Sequence, residues 1–289
     1  MDSMTFLDED ESLVPDKSVS IIPAPLANTL SWGKGADQGP AALIQASKAL
    51  ESFDDELLSE TFRIGIETLS HLELADITSD AACGKIYQAV SGELRRGRLP
   101  VLLGGEHTVT LGAVRACAEY YPDLKVLQID AHLDLRDSYE GTSLSHACVM
   151  RRIHDMGIAF THVGGRSFSR EEWELVQANG WQPFLMREIK SRINWVEQVC
   201  ETLTGPVYLT FDVDAFDPAI VPATGTPEPD GMSWEQVTGL LKAVAGSKRI
   251  VGCDFVELSP CPGGSHAVFT VAKLIYRTIG YIFAARLRA

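Results

Sequence analysis

The stretch Lys125-Val-Leu-Gln-Ile-Asp-Ala-His-Leu-Asp134 places a short, mainly apolar run directly before three ligand-type side chains. Similar runs recur along the chain, and most lack the alternation of polar and apolar residues, which predicts strands covered on both faces. The other runs are Val19–Pro23, Phe62–Ile66, Leu99–Leu103, Phe160–Val163, Pro206–Phe211 and Ile250–Val256, with Trp181–Met186 as a weaker eighth.

Amphipathic segments lie between these runs and predict helices. Ser233-Trp-Glu-Gln236, for example, has the pattern of a capping box at a helix start. The alternation of strands and helices predicts an α/β fold with right-handed crossovers and a parallel sheet. Because the alternation is unbroken, we expect one domain over residues 1–289, in which residues 1–16 form an acidic N-terminal arm that is a candidate for mobility.

The composition is that of a globular protein with an acidic balance. There are 25 Lys and Arg against 39 Asp and Glu, a net charge of −14, and 45% of the residues are hydrophobic. Excess negative charge argues against nucleic acid or an anionic membrane as a partner and suits a small cation. The chain shows no secretory signal and no apolar run of about 18 residues. Its six cysteines form no Cys-x-x-Cys pair, so we expect a cytoplasmic protein with reduced thiols.

Ligand-type side chains follow four of the predicted strands. In an open α/β sheet the ligand site lies at the carboxyl ends of the strands. Several carboxylates converging there without partners would be costly, because they repel one another and burial raises their pKa values, and a divalent cation removes that cost. An exposed polar loop is the alternative interpretation. The side chains are His107 after Gly104-Gly-Glu106; Asp130, His132 and Asp134; Asp212 and Asp214; and Glu257.

This set is typical of a site for two divalent metal ions. Mixed imidazole and carboxylate ligands suit Mn²⁺, Fe²⁺, Ni²⁺, Co²⁺ or Zn²⁺. The six His and Asp side chains exceed the needs of one ion, and bridging carboxylates can hold two ions about 3.5 Å apart. Such a pair supplies hydroxide near neutral pH, which predicts hydrolysis at an electrophilic carbon or phosphorus. Asp217, which precedes a proline, is expected to shape the turn instead.

Three motifs, in this order and at these separations, resemble the ureohydrolase superfamily of arginases and agmatinases. They are Gly104-Gly-Glu-His107, Asp130-Ala-His-Leu-Asp134 and Asp212-Val-Asp-Ala-Phe-Asp-Pro218, and Gly33-Lys-Gly35, Gly39-Pro40 and Ala223-Thr-Gly-Thr-Pro227 extend the likeness over nearly the whole chain. The resemblance implies a three-layer α/β/α sandwich around a central, mostly parallel eight-stranded sheet. It also implies a homo-oligomer, a trimer or a hexamer.

The resemblance further implies a role for each ligand-type residue. Two metal ions, usually manganese in this family, would hold a hydroxide that attacks the guanidinium carbon. One ion would be bound by His107, Asp130, Asp134 and Asp212, and the other by His132, Asp130, Asp212 and Asp214, with Asp130 and Asp212 bridging. Asp134 would accept a hydrogen bond from the hydroxide, Glu257 would bind the guanidinium, and His146 would shuttle a proton to the leaving amine or orient the substrate.

The segment after the second motif distinguishes branches of this superfamily. Leu135-Arg-Asp137 stands where arginases carry an Asn that recognises the amino-acid end of arginine. The departure favours the agmatinase branch, in which agmatine is hydrolysed to putrescine and urea for polyamine biosynthesis. Glu228 and Asp230 are candidates for contact with the distal amine, although loop solvation explains them equally. N1-aminopropylagmatine and other guanidino-amines stay open as substrates, while arginine and formiminoglutamate are less favoured.

Other classes of function remain as alternatives. Cys148 lies two residues from His146, which allows a cysteine hydrolase. Gly33-x-Gly35-x-x-x-Gly39 has the wrong spacing for a dinucleotide-binding loop and follows no buried strand directly. A catalytically silent, metal-binding relative is also conceivable, but the complete ligand set favours activity.

Overall fold

A seven-stranded parallel sheet forms the centre of the protein in a computed structural model, which describes residues 5–8 and 14–287. The strands stand in the order β4-β1-β5-β9-β8-β6-β7. Two further strands, β2 and β3, form a separate antiparallel pair. The strand bounds are β1 Val19–Ala24, β2 Phe53–Asp54, β3 Ser59–Glu60, β4 Ile66–Thr68, β5 Leu99–Gly104, β6 Lys125–Ile129, β7 Ala159–Val163, β8 Val207–Asp212 and β9 Ile250–Val256.

Helices cover both faces of the sheet, so the fold is the expected three-layer α/β/α sandwich. Alternate residues of one strand pack into opposite layers: Leu209 and Phe211 of β8 join one apolar cluster, and Tyr208 joins the other. This two-sided burial explains the continuous apolar runs in the sequence. The helices are α1 Gly39–Ser47, α2 Ser79–Arg95, α3 Val109–Tyr120, α4 Val149–Asp155, α5 Arg170–Asn179, α6 Met186–Ile189, α7 Trp195–Thr202, α8 Trp234–Ser247, α9 Ser265–Ile282 and α10 Ala284–Leu287.

The predicted eighth strand is reduced to a single bridge at the β7 edge. Phe184 pairs in parallel with Val163, its N–H donating to the His162 carbonyl over 2.9 Å. The chain enters α6 at Met186, so the pairing cannot extend into a full strand. Within the described residues the sheet therefore has seven strands where eight were expected.

One predicted strand lies further along the chain than expected. Residues Thr61–Ile64 form a 3₁₀ turn, and the strand begins only at Ile66. Gly65 separates the two with a φ of +79°, and a Cβ at this position would stand 2.0 Å from the Asp16 carbonyl oxygen. The close approach of another backbone segment and the positive φ both require glycine, so the apolar run is broken here.

The predicted helix start at Ser233 is confirmed. Its side chain accepts a hydrogen bond from Gln236 N–H, and the Gln236 side chain accepts from Ser233 N–H, which completes the capping box. Within the described residues, every helix is too short or too polar to cross a lipid bilayer.

The expected acidic arm falls partly outside the described residues, which omit 1–4 and 9–13. Phe6 and Leu7 are buried, and their N–H groups donate to Thr68 Oγ1 and Ser47 Oγ, each over 2.8 Å. Apolar burial and long-range hydrogen bonds therefore attach these two residues to β4 and α1, while the mobility of the arm stays a prediction.

Candidate metal centre and active site

Four adjacent strands bring the ligand-type side chains to one edge of the sheet. Strands β5, β9, β8 and β6 are neighbours and run parallel, so their carboxyl ends open on the same side. The residues that follow these ends converge because each loop begins at the same level of the sheet. They are His107 shortly after β5; Asp130, His132 and Asp134 after β6; Asp212 at the end of β8 with Asp214 in the next turn; and Glu257 directly after β9.

Three carboxylates surround the buried His107 imidazole. Its Nδ1 lies 3.2 Å from Asp130 Oδ2, 3.0 Å from Asp134 Oδ2 and 3.4 Å from Asp212 Oδ2. The opposite ring nitrogen, Nε2, lies 2.8 Å from Thr210 Oγ1, which fixes the ring orientation. His107, Asp130 and Asp212 have ligand atoms close enough to hold one metal ion, and Asp134 lies beside them.

A second group forms around His132. Its Nδ1 lies 3.0 Å from Asp214 Oδ2 and 3.7 Å from Asp130 Oδ1. Asp130, His132 and Asp214 also have ligand atoms within reach of one ion. Asp130 therefore faces both groups, one through each carboxylate oxygen. The arrangement fits a bridging carboxylate between two ions.

The electrostatics of this cluster fit bound cations. Burial, together with the neighbouring Asp130, raises the pKa of Asp134 to about 7, and burial with the nearby Asp214 and Asp130 raises the pKa of Asp212 well above its usual range. Burial alone would lower the pKa of His107, but the adjacent carboxylates raise it instead. His107 Nδ1 is buried and has no hydrogen-bond partner among the described residues. An imidazole nitrogen that lies among three carboxylates without a hydrogen bond suits a metal ion of the borderline or hard type.

Two of the site residues adopt strained backbone conformations. Asp134 has a φ of +54° and Glu257 a φ of +63°, values that cost a non-glycine residue about 1–3 kcal/mol. The surrounding backbone holds both in place: Asp134 C=O accepts from Arg151 N–H, and Glu257 N–H donates to Gly105 C=O. With these backbone conformations, both carboxylates line the cavity at the strand ends.

Glu257 links the cavity to the first ligand group. Its Oε1 accepts a 2.6 Å hydrogen bond from His107 N–H, while Oε2 accepts none from the described residues. Burial raises the pKa of Glu257 to about 8, with Glu106 contributing in the same direction. A cation placed at Oε2 would offset the free-energy cost of burying the charged carboxylate, so Glu257 is arranged to receive one.

His146 is held by two hydroxyl groups from the loop after β1. Its Nδ1 lies 3.1 Å from Thr29 Oγ1, and its Nε2 lies 2.8 Å from Ser31 Oγ. Thr29 in turn donates to the buried Glu106 carboxylate, from N–H over 2.6 Å and from Oγ1 over 3.0 Å. Burial lowers the pKa of His146 to about 4. The sequence interpretation missed Thr29 and Ser31, and the only available signal was Glu106 within the first motif.

A cavity of about 310 Å³ opens above these residues. Its lining includes the exposed Trp32, together with Arg136, Tyr139 and the buried Glu172. The Arg136 guanidinium lies 5.4 Å from the Tyr139 ring centre and 4.0 Å from Glu172 Oε2, so its charge is partly balanced within the wall. The floor is formed by His107, His132, Asp134, Asp212, Asp214 and Glu257, with His146 at the side.

The two acidic candidates for contact with an amine occupy different places. Glu228 lies close to the second ligand group, its Oε1 3.7 Å from His132 Nε2. Asp230 instead pairs with Lys190 at the exposed surface and does not line the cavity. The structure thus brings Glu228, but not Asp230, to the candidate site.

The alternative chemistries find little support in the geometry. Cys148 is fully buried, and burial raises the pKa of its thiol to about 11, whereas a nucleophilic cysteine needs a thiolate. Gly33 lies in an irregular loop well after β1, where its N–H donates to the Gly225 carbonyl over 3.1 Å. These glycines therefore close a loop against the cavity wall and do not form the turn of a dinucleotide-binding motif.

Comparisons with known proteins agree on one family. The family profile described as "Arginase family" matches residues 17–280. The chain is 36% identical over 273 residues to N(1)-aminopropylagmatine ureohydrolase of Synechocystis sp. (92% of this chain, 89% of that protein) and 34% identical over 279 residues to agmatinase of Pyrococcus horikoshii (92% and 93%). The structure of agmatine ureohydrolase of Thermoplasma volcanium superposes with a TM-score of 0.86 at 30% identity, covering 93% of this chain and 91% of that one.

Proposed function

The chain belongs to the arginase family, and from this premise we propose that it hydrolyses the guanidino group of agmatine to give putrescine and urea. The observation that carries the proposal is the convergence of two imidazoles and four buried carboxylates at the floor of one cavity, where Asp130 lies just beneath the lining residues and Glu257 adds a further carboxylate with an open oxygen. This product chemistry is a step that forms a polyamine precursor.

Two divalent ions are the proposed cofactors, and Mn²⁺ is the proposed identity. His107, Asp130, Asp134 and Asp212 would hold one ion, and His132, Asp130, Asp212 and Asp214 the other, which agrees with the two ligand groups around Asp130. When bound, such ions supply hydroxide near neutral pH for attack on the guanidinium carbon.

Glu257 is the proposed anchor for the guanidinium. The planar cation presents paired N–H donors, and Glu257 Oε2 has no other partner among the described residues to compete for them. The Oε1 bond to His107 N–H fixes the carboxylate, so a guanidinium bound at Oε2 would lie beside the first ligand group. Asp134, next to His107 Nδ1, is positioned to accept a proton from the attacking water.

His146 is the proposed proton carrier to the leaving amine. The Glu106 carboxylate can only accept, so the Thr29 hydroxyl donates to it and in turn accepts from His146 Nδ1–H. Nε2 then carries the lone pair and lies 2.8 Å from Ser31 Oγ. This tautomer can take at Nε2 the proton that Asp134 accepts from the attacking water. Because burial lowers the pKa of His146 to about 4, the protonated ring would release that proton readily to the amine nitrogen as the carbon–nitrogen bond breaks.

N1-aminopropylagmatine is a second candidate substrate. Relatives named for that activity include proteins 36% and 35% identical to this chain, from Synechocystis sp. and Thermus thermophilus. Trp32, which is 84% exposed, also lines the cavity, so its ring is open to contact with a longer amine. A ring face at that position suits an alkylammonium group. Glu228 is the proposed acidic contribution on the side of the second ligand group.

A turnover panel tests this proposal. The purified protein, loaded with Mn²⁺, is assayed for urea release from agmatine, N1-aminopropylagmatine, arginine and guanidinobutyrate. We expect the two amines to be hydrolysed far faster than arginine, and chelation to abolish turnover. Preference for arginine or guanidinobutyrate would overturn the substrate assignment, and activity that survives complete metal removal would overturn the metal-dependent chemistry.

A further inference from the structure

Two buried polar side chains stand in line behind Asp130, the residue that faces both ligand groups. Gln128 lies on β6 and His162 lies opposite it on β7, at the same register. Gln128 Nε2 donates to Asp130 Oδ2 over 2.7 Å, and His162 Nδ1 lies 2.7 Å from Gln128 Oε1. Gln128 is fully buried and His162 is 3% exposed.

From this juxtaposition we propose that Gln128 and His162 act as positioning residues that hold the Asp130 carboxylate in its metal-bridging orientation. The inference rests on the metal ligands proposed above, and it adds two residues that neither touch the cavity nor bind an ion.

The hydrogen-bond pattern allows one arrangement of protons. A carboxylate only accepts, so the Gln128 amide must turn its NH₂ group toward Asp130, and that group also lies 3.3 Å from the His132 carbonyl. Gln128 Oε1 then faces His162, whose Nδ1 must carry the proton. His162 is consequently the neutral Nδ1–H tautomer, and its second nitrogen, Nε2, is buried without a hydrogen-bond partner among the described residues.

In this arrangement the two oxygens of Asp130 have different partners and face different ligand groups. Oδ2, which Gln128 holds, is the oxygen that faces His107, while Oδ1 accepts from His132 N–H over 2.6 Å and faces the second group. Without the Gln128 bond, only Oδ1 would be tethered and the carboxylate could rotate. Orientation of a ligand by such outer partners typically changes metal affinity by about 10- to 100-fold.

Burying Gln128 and His162 has a free-energy cost that core packing alone does not explain. Apolar side chains at both positions would avoid the unpartnered His162 Nε2, which is unfavourable to bury. In addition, a Cβ on Gly165 would stand 2.5 Å from that nitrogen, so the ring requires glycine at position 165.

Metal binding by the full-length protein tests the proposal. Mn²⁺ affinity and stoichiometry are measured by competition with a chelating dye, and the melting temperature is measured without metal. The variants are Gln128→Leu, His162→Leu, His162→Asn and the Gln128→Leu/His162→Leu double variant. Asn can still donate from a position close to that of Nδ1. Thr161→Val is the matched control, because Thr161 lies beside His162 on β7 and its hydroxyl bonds that of Thr202, over 2.6 Å, away from the ligand groups.

We expect Gln128→Leu and His162→Leu to weaken Mn²⁺ binding by about 10- to 100-fold, with the double variant no worse than Gln128→Leu and His162→Asn close to wild type. Thr161→Val should bind Mn²⁺ normally. Unchanged affinity in both Leu variants, with only the metal-free melting temperature lowered, would refute the positioning role. If Gln128→Leu does not fold, the contrast between His162→Leu and His162→Asn decides the question. Wild-type protein that binds no Mn²⁺ would instead refute the proposed metal site.

Discussion

Replacing Glu257 with Gln separates substrate binding from metal binding. The substitution keeps the shape of the side chain, and its amide oxygen can still accept the 2.6 Å hydrogen bond from His107 N–H. It removes the negative charge that we propose receives the guanidinium. The metal ligands are untouched, so both ions should still bind.

The size of the effect follows from the number of bonds lost. Glu257 Oε2 is the oxygen without a partner, and it can accept one or two N–H groups of the guanidinium. Charge-assisted hydrogen bonds contribute about 1.5–3 kcal/mol each, so the loss of one or two of them should cost about 1.5–6 kcal/mol in transition-state binding. At 1.36 kcal/mol for each factor of ten, kcat/KM should fall by about 10- to 25,000-fold.

The assay is urea release from the best substrate of the panel, together with metal content of the purified variant. Asp230→Asn is the matched control. It also removes one carboxylate charge, but Asp230 pairs with Lys190 outside the cavity. Wild-type kcat/KM in Glu257→Gln would refute the proposed anchor. Loss of one or both ions from the same variant would show that Glu257 belongs to the metal shell.

Three further predictions concern the same site. Asp130→Ala should lose both ions and all turnover, because one carboxylate faces both ligand groups; metal analysis showing two ions per chain would contradict the bridging assignment. In chelator, the melting temperature should fall as pH rises from about 4.5 to 8 and then level off. Folding raises the pKa of Asp134 to about 7 and of Glu257 to about 8, so over this range the folded state holds protons that the unfolded state has released. Excess Mn²⁺, which binds deprotonated ligands, should remove this decline, and a rise in chelator would contradict the reasoning. Thr29→Val should lower kcat by about tenfold with normal metal content, because His146 Nδ1 loses the nearer of its two hydroxyl partners, Thr29 at 3.1 Å and Ser145 at 3.4 Å. The change should appear in the imidazole nitrogen shifts of His146, and unchanged shifts would contradict the proposed tautomer.

The strands that the sequence predicted well are those covered on both faces. Residues 99–103, 125–129 and 250–256 are apolar because a helical layer lies on each side, and burial leaves the sequence little choice. The strand predicted at 62–66 begins only at Ile66, because the backbone at Gly65 is determined by close contact with Asp16, which is distant in the sequence. A local apolar pattern records burial, but it does not record which backbone segment approaches.

The same distinction explains the ligand groups. His107, Asp130 and Asp212 each lie at or shortly after the end of a strand, so the parallel order of the sheet brings them together once the strands are recognised. Thr29 and Ser31 escaped notice because nothing near them in the sequence signals contact with His146, which lies more than 100 residues away.

The two halves of the cavity are accordingly determined in different ways. The floor depends on strand ends, whose spacing the sheet fixes, so chemistry at the guanidinium can be inferred from motifs alone. The outer half depends on contacts between loops, such as the hydrogen bond from Gly33 N–H to the Gly225 carbonyl and the bonds of Arg166 Nη2 to the Glu228 and Asp214 carbonyls. These contacts decide that Glu228 approaches His132 while Asp230 faces outward. We therefore expect the packing of these loops to determine which guanidino-amine is preferred. Substitutions at the rim should alter the preferred amine while leaving metal binding intact.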